Sequence, residues 1–372
     1  WGGWFGHPRQ LAWLFGTEMW ERFGYYGMRA LLTLYLTKHF VLGDRASTGL
    51  YGGYTALVYL TPLVGGFVAD QFLGSKRSVK FGALLMAIGY LALAFGGQPS
   101  KPYAVIDGQR YDVQIANFRD RPTSGADEVR YLLDHGRKLQ IKGNDDGSVA
   151  LLDASGVTVR ALPKGAMEDG SEKNELMLTL MLMALSLISV GNGFFKPNIS
   201  TMVGALYSPD DKRRDAGFTI FYMGINVGSI LGQVIGAFLA DRLGWWAGFG
   251  ISGIGMLVSY FMISFDGGRL DGYGEPPPRE GGDRRLVIYL LALIAVPVFY
   301  FLFRNLMTSA EATGDVHSIG EYLLALPLMG KLLFATFVLS VPGILAWSWF
   351  RGSRIEFQMM CAAMILITFN VF

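Results

Sequence analysis

Long apolar stretches alternate with short polar breaks along most of this 372-residue chain, and about 20 residues suffice for a helix to cross the roughly 30 Å of bilayer hydrocarbon. The pattern predicts membrane-spanning helices near 11–38, 50–72, 79–97, 176–206, 217–240, 246–265, 286–304, 322–350 and, running up to the last residue, 358–372. One region breaks the pattern. Between the third and fourth spans, Tyr103-Ala-Val-Ile, Leu139-Gln-Ile-Lys and Val157-Thr-Val-Arg alternate apolar with polar residues and are parted by Asp107-Gly108, Asn144-Asp-Asp-Gly and Asp153-Ala-Ser-Gly. Period-two alternation bounded by such turn residues reads as strands, so 98–174 is expected to be a small β-rich insert, with a short helix around Ala126–His135. A second break, Asp266–Arg285, holds Pro276-Pro-Pro and several glycines and reads as a polar linker.

Composition supports lipid as the solvent. Half of the residues, 51%, are hydrophobic, only 17% are charged, and 26 Phe and 8 Trp accompany 49 Gly. Aromatic rings anchor at membrane interfaces, and glycine lets helices approach closely. The net charge of +2 gives no support to nucleic-acid binding. A single cysteine, Cys361, excludes internal disulfides and Cys-based metal sites and reads as a packing or lipid-facing residue. The chain opens Trp1-Gly2-Gly3 with no short apolar leader, so the first span is expected to stay as a helix, and the last apolar run is expected to belong to a longer protein.

Basic residues set an expected orientation. Lys76, Arg77 and Lys80 follow the second span, Lys212, Arg213 and Arg214 the fourth, Arg269, Arg279, Arg284 and Arg285 the sixth, and Arg351 and Arg354 the eighth. By the positive-inside rule these exits and the N-terminus are cytoplasmic, and the 98–174 insert is extracytoplasmic.

The first span carries charge at membrane depth: Glu18-Met-Trp-Glu21-Arg22-Phe23-Gly24-Tyr25-Tyr26-Gly27-Met28-Arg29. Such residues cost about 2.5–3.5 kcal/mol each on insertion scales and normally face a wet cavity or a partner. At helical spacing Glu18, Arg22, Tyr25 and Arg29 form one stripe, with Glu21 a turn from Tyr25. That stripe suits a proton site, while a plainer reading ties the helix to its neighbours. Lys196 lies inside another apolar run, in Gly191-Asn-Gly-Phe-Phe-Lys196-Pro197-Asn198, where the proline is expected to kink the helix. It is suited to receive a substrate carboxylate, to pair with a glutamate, or to snorkel. Asn226, in Phe221-Tyr222-Met-Gly-Ile225-Asn226-Val-Gly228-Ser229, is either cavity-lining or interhelical glue. Asp70 and Arg77, flanking a glycine turn in Gly66-Phe-Val-Ala-Asp70-Gln-Phe-Leu-Gly74-Ser-Lys76-Arg77, read as a gating loop.

These motifs resemble those of the proton-dependent oligopeptide transporters of the major facilitator superfamily. Glu18-x-x-Glu21-Arg22-Phe23-x-Tyr25-Tyr26-Gly27 is similar to that family's helix-one signature, Gly191-x-Gly-x-x-Lys196-Pro197-Asn198 to its helix-four signature, and Phe221-Tyr222-x-x-Ile225-Asn226-x-Gly228-Ser229 to its helix-five motif. Gly66-x-x-x-Asp70 with Gly74-x-x-Arg77 resembles the superfamily loop between helices two and three. The resemblance implies an all-α polytopic membrane protein: helices 1–3 in 1–97, the insert at 98–174, helices 4–6 in 175–266, a cytoplasmic linker at 267–285, an extra transmembrane hairpin at 286–354 and the start of helix seven at 355–372. The C-terminal bundle would lie outside this sequence. The insert departs from the family's usually short third loop. The resemblance also implies proton-coupled symport of di- and tripeptides into the cell by alternating access, in the inner membrane, by a monomer with no cofactor beyond the coupling proton. Glu18, Glu21 and Arg22 would couple protons, and Arg22, Tyr25, Tyr26, Arg29, Tyr59, Lys196 and Asn226 would contact the peptide.

Two other readings stay open at this point. The solute is alternatively nitrate or a peptide-like conjugate, or the insert makes the chain a receptor. An enzyme is not expected. The four histidines, at 7, 39, 135 and 317, are too scattered for a metal site, and no Ser–His arrangement falls within the spans.

Overall fold

The computed structural model describes residues 3–115, 129–144, 146–277, 283–312 and 319–371. In chain order these form α1 (Arg9–Lys38), α2 (Asp44–Val68) continued by a π turn (Ala69–Leu73), α3 (Ser75–Leu93), seven strands, α4 (Glu175–Ala205), α5 (Arg214–Leu243), α6 (Trp245–Ser264), α7 (Arg285–Ala312), α8 (Ile319–Ala325), α9 (Leu328–Arg351) and α10 (Arg354–Val371). Among the described residues, six helices are long and apolar enough to cross a membrane: α2 with its π turn, α4, α5, α6, α7 and α9.

Close helix packing is bought with small residues. On α5, Gly224, Gly228, Gly232 and Gly236 recur every fourth position and so share one face, which lies along α1. A Cβ on Gly228 or Gly232 would run into the backbone carbonyl oxygen of Met19 or Phe23. The α1 backbone therefore rides directly on α5, the small-residue contact that favours association in lipid. α3 and α4 meet the same way: a Cβ on Gly191 would stand 2.7 Å from the Gly82 oxygen. α1 also packs on α6, α3 on α6, and α2 on α4, while α7 crosses α2 and α4 on the outside. Phe81 of α3 stacks on Tyr289 of α7 at 4.3 Å, and Arg304 of α7 reaches Glu175 of α4 at 3.0 Å.

Two predicted elements need correction. The eighth span is not one helix, because it breaks between α8 and α9 at Pro327. Proline has no N–H for the ladder, and the next amide, that of Leu328, donates instead to Asn305 Oδ1 on α7 at 3.0 Å. The short helix around Ala126–His135 is replaced over its second half by strand: Arg130–Asp134 pairs on both sides, and His135 sits in the turn that follows with φ 44°. Tyr131, Leu132 and Leu133 favour a pleated, half-buried position. Residues 126–128 lie outside the described ones.

The strands β1 (Lys101–Ile106), β2 (Gln109–Ile115), β3 (Arg130–Asp134), β4 (Arg137–Gly143), β5 (Val149–Leu152), β6 (Thr158–Leu162) and β7 (Met167–Glu172) form one antiparallel sheet in the order β6-β5-β4-β3-β2-β1-β7. Its two edges, β6 and β7, are joined by only residues 163–166. Six strand spacings of about 4.8 Å would hold the edges of a flat sheet roughly 29 Å apart, beyond the ~20 Å that so short a connection spans. The sheet must therefore curl until its edges approach. Its inner face collects the apolar cluster Ala104, Ile106, Val113, Leu132, Leu139, Leu151 and Leu162. Lys101 pairs with Glu172, so the segment leaves and rejoins the helices at one place. It is tied to the C-terminal end of α1 by Ser100 N–H donating to His39 O (2.8 Å) and Ser171 Oγ to Val41 O (3.4 Å).

Candidate functional site

Inside α1, Glu18, Glu21 and Arg22 are almost completely removed from solvent, at 3%, 0% and 3% exposure. Arg22 Nε lies 2.9 Å from Glu18 Oε1, the i, i+4 pair that helical spacing predicts, and is in ion-pair contact with Glu21 Oε2. One guanidinium thus faces two carboxylates. Glu18 Oε2, Glu21 Oε1 and Arg22 Nη2 hydrogen-bond to nothing among the described residues. Buried ionic groups left partly unsatisfied are costly, and that cost marks functional sites more often than stabilising ones.

The stripe continues as predicted. The Arg22 guanidinium lies 5.2 Å from the ring centre of Tyr25, which is buried and meets Tyr26 edge-on at 5.2 Å. A turn further on, Arg29 Nε donates to Tyr51 Oη of α2 at 2.6 Å. Tyr51 is a partner that sequence reasoning missed. From α4, the half-buried Lys196 places Nζ 4.9 Å over the ring of Tyr59, itself 61% exposed on α2. It lies within electrostatic range of both Glu18 and Glu21 without closing an ion pair among the described residues. Lys196 therefore turns towards α2 and the α1 acids. Asn226 stands apart: it is exposed on α5, and its amide donates to Tyr222 O of its own helix at 3.3 Å, not to another helix.

Two prolines explain how α2 and α4 present these groups. Proline cannot donate to the carbonyl four residues earlier, so Pro62 frees Val58 O and Pro197 frees Gly193 O. Asn192 Nδ2 of α4 donates to Val58 O at 2.9 Å, replacing the bond that Pro62 cannot make. Gly193 O abuts the α-carbon face of Gly65, where any Cβ would collide with it. The structural work of Gly191-Asn-Gly falls to Asn192 and Gly193.

Asp70 and Arg77 are not brought to the buried cluster. Asp70 is exposed in the π turn, and Arg77 Nη1 meets Asp283 Oδ2 at 3.3 Å. Between them Gly74 takes φ 75°, and Lys76 holds the segment that follows α6: its Nζ reaches Asp266 at 3.1 Å and Asp271 at 3.4 Å, and its N–H donates to Gly274 O at 3.0 Å. The Asp266 carboxyl is held below the usual carboxylate range. Burial works to raise it, but the Leu270 N–H and the Lys76 ammonium outweigh that.

The sequence model of the POT family matches residues 76–281, more than half of the chain. The chain belongs to the POT family. A di-/tripeptide transporter of Lactococcus lactis is 31% identical to it over 316 residues, covering 81% of this chain and 47% of that one. The peptide transporter YePEPT of Yersinia enterocolitica is 29% identical, covering 95% and 60%. This POT family chain therefore spans about half the length of the curated relatives it matches. Among solved structures, a peptide transporter POT in complex with sulfate superposes with a TM-score of 0.59 at 24% identity, over 98% of this chain and 57% of that one. That likeness establishes the fold, a multi-pass helical membrane protein, for the helices described above.

Proposed function

We propose that this protein is a proton-coupled symporter of di- and tripeptides, working by alternating access. The observation that carries the reading is the sealed Glu18–Arg22–Glu21 cluster beside the half-buried Lys196. Protonating one of the two acids leaves Arg22 paired with the other, so proton uptake changes the ion-pair pattern within α1 and the charge presented to Lys196 on α4. Glu18, Glu21 and Arg22 are the proton-coupling group, and no cofactor beyond the proton is called for.

Peptide recognition needs fixed cations for the C-terminal carboxylate and aromatic walls that tolerate varied side chains. Lys196, Arg29 and Tyr59 supply these, together with Arg22, Tyr25 and Tyr26 of α1 and Asn226 of α5. The names of the relatives, a di-/tripeptide transporter and a peptide transporter, support this cargo over nitrate or a conjugate. The basic ends of α2, α4, α6 and α9 face the cytoplasm, and Asp70 with Arg77 belongs to the gating loop there. The curled sheet between α3 and α4 is an extracytoplasmic insert, and α7 to α9 are the additional hairpin outside the six-helix bundle. The protein acts as a monomer in the inner membrane.

Uptake of a labelled dipeptide by the full-length protein in liposomes tests the cargo. Unlabelled tripeptide competes and nitrate does not. Competition by nitrate with none by tripeptide overturns the assignment.

A further inference from the structure

Around Glu21 the described residues leave three buried polar groups with no hydrogen-bond partner: its own carboxylate oxygens, the hydroxyl of Tyr54 on α2 and the hydroxyl of Tyr90 on α3. All three side chains are 0% exposed. Each tyrosine lies within electrostatic range of Glu21, and Tyr54 of Tyr90. Packing fixes the neighbourhood independently: a Cβ on Gly24, one turn after Glu21, would stand 3.3 Å from Tyr90 Cε2. Phenol hydroxyls left unpaired in a dry interior are rare, because each forfeits the hydrogen bonds it had in water.

We propose that Tyr54 and Tyr90 are positioning residues for Glu21, giving its carboxyl a hydrogen-bond partner in either protonation state. The chemistry suits the task. A phenol O–H donates to a carboxylate and its oxygen accepts from a carboxylic acid, so the same two side chains serve both forms, each keeping its own proton. They also connect a proton on α1 to α2 and α3, helices that hold no acid near the cluster. The other charged or titratable groups facing Glu21 are Glu18, Arg22 and Tyr25 from α1 and Lys196 from α4. Arg22 already satisfies part of the ionised form; the tyrosines are what distinguishes Glu21 from Glu18. This inference rests on the proton-coupling reading above for its consequence, but not for its geometry.

The test uses Tyr54→Phe, Tyr90→Phe and the double variant of the full-length protein. Removing a donor to a charged acceptor shifts the pH of half-maximal proton-driven dipeptide uptake upward by about one unit, and more in the double variant. A hydroxyl with only a packing role leaves that profile where it was. Infrared difference titration of the Glu21 carboxyl, identified by its loss in Glu21→Gln, follows the same shift in purified protein without any transport. Wild-type uptake indifferent to the proton gradient refutes the coupling reading alone, and the infrared shift still decides the inference. An unmoved Glu21 titration in the double variant overturns it.

Discussion

Asn192 shows how much a single side chain carries at the residue scale. Its amide closes the carbonyl that Pro62 exposes on α2. Asn192→Ala leaves Val58 O buried and unpaired, a loss of about 1–3 kcal/mol. Thermal unfolding in nanodiscs reads it as a lowered Tm, and an unchanged Tm contradicts this role for Asn192 at Pro62. The contrast with Glu18, Glu21 and Arg22 explains what was legible in the sequence. Ionisable groups inside an apolar run are conspicuous by their cost, whatever they touch. Asn192 and Tyr51 look ordinary in such helices, and their roles appear only through contacts with residues as many as 134 positions away. The expectation for Asn226 left two options, and its exposed position with a bond to its own helix removes interhelical glue among the described residues.

At the scale of elements, apolar length placed the helices well, because lipid demands that each segment satisfy its own backbone. It failed at Pro327, where a proline within an apolar run separates two helices, whereas Pro62 and Pro197 lie inside continuous ones. One-dimensional hydropathy does not distinguish these positions. The linker shows the same limit: reading it as polar did not reveal that its acids hold the α2–α3 turn through Lys76 and Arg77. Asp266 is held below its ordinary range in the folded state, so its contribution is complete above the unfolded value, about 3.9, and fades as pH falls through the lower folded value. Asp266→Asn removes about 1–2 kcal/mol near neutrality, and its stability difference from the wild type shrinks towards pH 3. A difference that stays constant over that range contradicts the pairing with Lys76.

For the whole molecule, the chain is a helical bundle in which glycine faces bring α1 against α5 and α3 against α4 so closely that charges inside α1 are sealed from solvent. The curled sheet is joined to the bundle at one end and its core is its own. It therefore adds a unit without interrupting helix packing. The functional account rests on one arrangement, two carboxylates sharing one guanidinium within reach of a lysine on α4. Dipeptide accumulation by the full-length protein in liposomes, with and without an inward proton gradient, compares wild type with Glu21→Gln most directly. The account predicts that the wild type concentrates dipeptide only with the gradient, while Glu21→Gln loses accumulation and keeps exchange of dipeptide across the membrane. Gradient-driven accumulation undiminished in Glu21→Gln would contradict it.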